Sequence, residues 1–223
     1  KTMPVETQHS SGAFLSNSIR KNASAITLGA LLALFYLLFL AHSINLMPAD
    51  TGRHVQNGRV LFETGHITNT NFYSYTEPSF PTVNHHWGSG ALFFLAWLAG
   101  GFTGTHVFFI ATSIASFLVF FLTARKIGGT GVAALGAVPA ILLLGGRTEI
   151  RPEVFSMLFS GLFILILVYA RDDPKRRAWL AALPFLQVLW TNTHIFFFLG
   201  PLAVAAFLIE SLFSKNQPFD MIY

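Results

Sequence analysis

The chain has 223 residues, of which 53% are hydrophobic and 15% aromatic but only 11% charged. A soluble domain carries about a quarter charged residues, so a water-wetted globule, a disordered chain and a nucleic-acid binder are excluded, and a mean hydropathy of +0.56 agrees. The net charge of +4 sits in short clusters at the ends of apolar runs, as in membrane proteins oriented by Lys and Arg, and the lack of Cys excludes disulfides and zinc–thiolate sites.

A spanning helix needs about 20 apolar residues. The start at Lys1 and the end at Met221-Ile222-Tyr223 read as part of a longer protein. Residues 1–24 read as a cytoplasmic tail, and the apolar run 25–47 as an uncleaved first transmembrane helix, too long for a signal-peptide core. Residues 48–86 carry only Arg53 and Arg59 as bases and read as an extracytoplasmic loop. Asp50–Thr64 has a partly amphipathic helical pattern suited to the membrane interface. Residues 87–213 then form a transmembrane bundle, with apolar runs at 87–101, 105–124, 132–146, 154–170 and 178–213. The last is too long for one span, and its polar centre Trp190-Thr191-Asn192-Thr193-His194 divides or breaks it. Residues 214–223 return to the cytoplasm. The expected fold is therefore all-α, a polytopic transmembrane helix bundle with a long outer loop carrying a juxtamembrane helix.

The basic clusters Arg20-Lys21, Arg125-Lys126, Lys175-Arg176-Arg177 and Lys215 set the cytoplasmic side. Three apolar runs then lie between two outer segments, although only an even number of crossings joins them. The short, Gly-rich run 87–101 is the one expected to be re-entrant or merged with its neighbour.

Three polar clusters collect on the outer side, where ionisable groups usually face a cavity. Asp50 and His54 lie one helical turn apart. Asp50 suits either a carboxylate that takes a proton or holds a metal, or a helix N-cap. Asn71–Pro78 is polar and aromatic, fit for stacking on a sugar or for an interfacial belt. His85 and His86 are metal ligands by type, but no third ligand is near in sequence, so hydrogen bonding is the stronger expectation and no metal site is assigned. Arg147, Arg151 and Glu153 flank the start of a helix, fitting either capping chemistry or a grip on phosphate. Asn192 and His194 interrupt apolar sequence, as a helix–helix hydrogen-bond network or a substrate cavity.

In order, Asp50-x-x-x-His54, Gly58, Gly65-His66-Ile67, Phe72-Tyr73-Ser74-Tyr75-Thr76, His86-Trp87, Arg151-Pro152-Glu153-Val154-Phe155-Ser156 and Leu189–His194 resemble a family of multi-pass bacterial membrane proteins similar to the C-type (GT-C) glycosyltransferase superfamily. The resemblance covers roughly residues 25 to 210. It implies transfer of a sugar from a polyprenyl-phosphate donor on the extracytoplasmic face, with Asp50 as the acidic active-site residue. His54, His86, Arg147, Arg151, Glu153, Asn192 and His194 would line the substrate site. A divalent metal is compatible with this chemistry but not required by it. Many members have paired acids where this chain has Ala49-Asp50-Thr51. The alternative is therefore a non-catalytic integral membrane subunit of a larger complex that keeps the scaffold. A transporter is a third reading, without an inverted repeat to support it. The implied partners are the lipid bilayer, the polyprenyl-phosphate sugar and other membrane subunits.

Overall fold

The computed structural model describes residues 9–43, 50–146 and 149–213, with side chains from residue 22 onward. Its elements are α1 (His9–Leu40), α2 (Thr51–Thr64), α3 (Trp87–Gly145), α4 (Glu153–Asp172), α5 (Ala182–Thr193) and α6 (Leu199–Phe213), with 3₁₀ turns at Pro174–Ala181 and Ile195–Phe198. Among the described residues the one bridge between extended segments joins Thr70 and Pro81. Four helical stretches are long and apolar enough to cross a membrane: Asn22–Leu40, Trp87–Gly145, Glu153–Asp172 and Ile195–Phe213.

The first helix differs from its expected bounds. It is already helical at His9, the first described residue, well before the expected start at residue 25, and it ends at Leu40. Residues 44–47 of the expected span lie outside the described residues. The apolar stretch near the C-terminus does divide at its polar centre. His194 adopts an extended conformation (φ −158°, ψ 146°), which closes α5 before α6 begins.

Helix α3 is not one rod. Its backbone leaves helical geometry at Gly100, Gly101 and Gly129, giving segments 87–99, 102–128 and 130–145. Gly101 has φ 61° and ψ −145°, a region open in practice to glycine alone. The chain then doubles back so tightly that a Cβ at Gly104 would stand 2.3 Å from the Ala96 carbonyl oxygen. The 102–128 segment runs antiparallel to α1, with Arg125 donating to Asn22 Oδ1 at one end (2.7 Å) and His106 bonded to the Leu40 carbonyl at the other (3.0 Å).

The same pairing fixes two ends of the bundle. At the basic end, Lys126 meets Asp172 (3.1 Å), Arg171 meets Glu210 (3.1 Å) and Arg176 stacks on Tyr169. At the opposite end lie Leu40, His106, the start of α4 and the end of α5. The 87–99 segment stays at that second end. Trp87 bonds Asn192 there and Ala96 packs on Gly104. At about 20 Å long, it is shorter than a ~30 Å hydrocarbon layer. A helix this short is compatible with the re-entrant reading that the charge pattern suggested.

The core is aromatic and aliphatic. Phe93, Ile141, Leu167 and Trp190 are fully buried, and Trp190 is held between Phe159 and Phe163 at ring distances of 5.8 and 5.6 Å. Helix α2 lies against the 87–99 segment at a crossing with no room for side chains. A Cβ on Gly58 would meet the Gly90 carbonyl oxygen at 2.1 Å and Phe94 Cβ at 2.7 Å. Gly58→Ala is therefore expected to lower stability by about 1–3 kcal/mol in thermal unfolding of the detergent-solubilised chain, the usual cost of overpacking. Gly52→Ala, six residues earlier in α2 with nothing within 4 Å, is expected to be neutral or to stabilise by about 0.4–1 kcal/mol. Equal losses at both glycines would contradict this crossing.

Candidate functional site

Helix α2 starts at the turn that opens α4. Thr51 is fully buried and donates its hydroxyl to the Ile150 carbonyl (2.9 Å), fixing Asp50 and His54 over residues 149–153. The helix stops at Gly65, left-handed at φ 72°, whose N–H returns to the Leu61 carbonyl. The chain after it folds back as a small hairpin, with Asn71 N–H to Phe80 O and Thr82 N–H to Asn69 O, both 2.9 Å. Tyr73 docks this hairpin onto α2 by directing its hydroxyl at Asn57 Oδ1 (2.8 Å) and the Arg53 carbonyl (3.2 Å).

The crossing of α2 and the 87–99 segment lines up imidazoles from three elements. His54, His86 and His194 form a row, with ring centroids 5.6 Å apart for the first pair and 5.3 Å for the second, and His85 lies beside His86 at 4.1 Å with its ring tilted by 46°. His54 and His194 are buried. Burial, reinforced by Arg53 and His86, pushes His54 down to about 3, although Asp50 pulls the other way. Burial also lowers His86, to about 4, helped by His85 and His194. His194 is lowered by burial too, and Glu153 opposes the shift. At neutral pH the row is uncharged, and carboxylates flank it at both ends.

A directional hydrogen-bond chain supports the row from behind. Trp190 Nε1–H can only donate, and it donates to Ser156 Oγ (2.7 Å). Ser156 Oγ is in turn hydrogen-bonded to His194 Nδ1 (2.7 Å), which ties the ring to α4.

The structure brings most of the sequence-derived site residues together. Asp50 is exposed and makes no side-chain cap bond. Its carboxylate pairs with Arg53 (3.1 Å), so the N-cap reading of this residue is not what the fold uses. Asp50 still acts electrostatically on His54 and His86. Arg151 forms an ion pair with Glu149, and Arg151 and Glu153 line a small gap of about 20 Å³ against Tyr36, Leu40 and Ser113. Asn192 is committed to packing: its Oδ1 accepts from Trp87 (2.8 Å) and its Nδ2 donates to the Val188 carbonyl (2.7 Å). Arg147 lies outside the described residues. Sequence reasoning missed Asn57, and it named Tyr73, Ser156 and Trp190 only inside longer motifs, without the bonds they make here. For Asn57 a signal existed, since Arg53, His54 and Asn57 share one face at helical spacing.

Among the described residues, no three His, Asp or Glu side chains converge as a metal would require. The histidines form a row rather than surrounding a point, while Asp50 and Glu149 each face a guanidinium. This donor set does not fit a divalent ion, and no step is derived through one.

The histidine row predicts a pH dependence. His54 and His86 have folded-state values of about 3 and 4 against an ordinary 6.5, so the unfolded chain binds more protons below pH 6.5. Stability is then fully present above pH 6.5 and falls as pH drops toward 4, by up to about 1.4 kcal/mol per unit for each fully responding histidine. Thermal unfolding of wild type and His54→Phe across pH 4–7.5 measures this. The variant is expected to show the shallower slope, and parallel slopes would remove His54 from the account.

No family model matches this chain, and no curated protein or solved structure matches it either.

Proposed function

We propose that this chain is a membrane glycosyltransferase-like protein that moves a sugar from a polyprenyl-phosphate donor on the extracytoplasmic face of the bacterial inner membrane. The observation that carries the reading is the gathering of Asp50, His54, His86, Arg151, Glu153 and His194 at the end of the bundle opposite its basic residues. An acceptor hydroxyl attacks the anomeric carbon, the bond from that carbon to the phosphate oxygen breaks, and the polyprenyl phosphate leaves with the electron pair. Asp50 takes the hydroxyl proton as general base. Arg151 exchanges Glu149 for the donor phosphate and stabilises the charge that develops on the leaving oxygen.

A second reading has its own support. Asp50 meets Arg53 and Arg151 meets Glu149, so neither charge needs a ligand for its neutralisation. A non-catalytic membrane subunit built on this scaffold would keep such pairs.

Three experiments test the proposal. Because the chain has no Cys, single cysteines report topology cleanly. Thr76→Cys is expected to react with an impermeant thiol reagent in intact cells and Asp173→Cys to stay unlabelled. Labelling at position 173 would reverse the orientation and put the site on the wrong face for the donor. Asp50→Asn keeps size and hydrogen-bonding capacity but cannot take the proton, so transfer from a polyprenyl-phosphate sugar is expected to be lost with the unfolding temperature unchanged. Arg151→Lys keeps charge but not the bidentate fork, and is expected to weaken donor binding more than tenfold. Unaltered activity in the first variant and unaltered donor affinity in the second would favour the subunit.

A further inference from the structure

Between α2 and the 68–86 hairpin lies a cleft of about 190 Å³, distinct from the small gap beside Arg151. Its wall carries amides and hydroxyls, including Asn57, Thr68, Asn71, Tyr73 and Asn84, together with the edges of His54 and His86. No Asp or Glu lines it, and its guanidinium, Arg53, already faces Asp50 at 3.1 Å. The Tyr73 hydroxyl occupies Asn57 Oδ1, and Asn84 Nδ2 donates to Thr68 Oγ1 (3.0 Å), which leaves the Asn57 N–H groups and Asn84 Oδ1 directed to other use. Phe72 and Tyr73 lie with ring centroids 4.1 Å apart and planes tilted by 32°, 39% and 46% exposed, and supply an apolar face beside these polar groups.

Alternating neutral donors and acceptors next to an exposed aromatic face are the complement of a sugar. Each sugar hydroxyl is both donor and acceptor, and the ring's C–H face packs on an aromatic plane. An anion would find one cation already engaged, and a hydrocarbon chain would strand the amides. We infer that this cleft binds a neutral, hydroxyl-rich ligand, a sugar, with one hydroxyl presented to the imidazoles of His54 and His86. This rests on the glycosyltransferase reading only in giving that sugar the place of the acceptor; the binding itself does not require it. Imidazoles that stay uncharged at neutral pH keep a lone pair to receive a hydroxyl hydrogen bond, which a protonated row would lack.

The test is saturation-transfer NMR on the full chain in lipid nanodiscs, free of glycoside detergents. The probes are the methyl glycosides of glucose, galactose, mannose and N-acetylglucosamine. At least one is expected to receive saturation at its ring protons. Asn57→Ala and Asn71→Ala are expected to weaken that binding at least tenfold. The second is the cleaner variant, because the Asn71 side chain makes no bond whose loss would disturb the fold. Glycoside binding in a chain devoid of transfer activity would keep this site and remove the enzyme reading. Silence from all four probes, binding undiminished in both Asn variants, or displacement by inorganic phosphate would overturn the inference.

Discussion

The close crossing of α2 on the 87–99 segment is the contact on which the site depends. Gly58 and Gly90 let the two backbones touch, with the Gly90 carbonyl where a Gly58 Cβ would stand. At that separation His54 reaches both His86 and Phe93, at 5.6 and 6.2 Å between ring centroids. A side chain on either glycine would push α2 outward. Such a shift would part the imidazoles and detach Thr51 from Ile150. Backbone approach, rather than any strong bond, sets the geometry of the histidine row. Since packed interiors tolerate little added volume, that geometry is stiff.

Burying polar groups beside apolar helices is costly unless each finds a partner. The bundle meets that demand with a few directional bonds instead of many charges. Trp190 donates a hydrogen bond to Ser156 Oγ, and Ser156 Oγ is bonded to His194 Nδ1, so three buried polar groups are satisfied in one chain. Trp87 and Asn192 close the same end of the bundle between α3 and α5. Within the apolar segments, Thr112, Ser116 and Thr123 turn their hydroxyls back to carbonyls of their own helix. The polar residues near the histidine end join separate helices, while those deeper in α3 serve only themselves. That contrast marks where the fold concentrates its polarity.

Much of the architecture was legible in the sequence, because hydrophobic run length and charge poverty are strong signals. The all-helical class, the apolar spans, the helix over residues 51–64 and the break at His194 all follow from composition and punctuation. The short 87–99 segment was legible only as a counting problem. Run length cannot tell a crossing from a return, and the deciding residue, Gly101, is one glycine among several in that stretch. At the site, the sequence showed that Asp50, His54, His86 and His194 belong to polar clusters, but not that α2 crosses α3 at Gly58 and so aligns three imidazoles. Asp50 read equally as a cap, since local spacing cannot show whether its carboxylate turns to its own helix or to Arg53. Ser156 was hidden for a similar reason: a serine one turn into a helix ordinarily bonds its own backbone, and only α5 turns it into a link between Trp190 and His194.

The two ion pairs at the site bear on function through their magnitude. Arg53 and Asp50 have side chains 49% and 58% exposed, and Arg151 and Glu149 39% and 28% exposed. Pairs with that much water contact contribute about 0–1 kcal/mol, because solvent screens the attraction and holding two long side chains costs entropy. Hydrogen bonds to a charged group contribute about 1.5–3 kcal/mol each, and a phosphate accepts two from one guanidinium fork. Under the proposed transfer reading, a donor phosphate competes with Glu149 for Arg151, and the 28% exposure of Glu149 lets its carboxylate turn to water. The Arg151–Glu149 pair itself holds Arg151 beside the gap while contributing little to stability. Weak, exposed pairs beside a stiff, uncharged histidine row form a site whose charges can move while its frame does not.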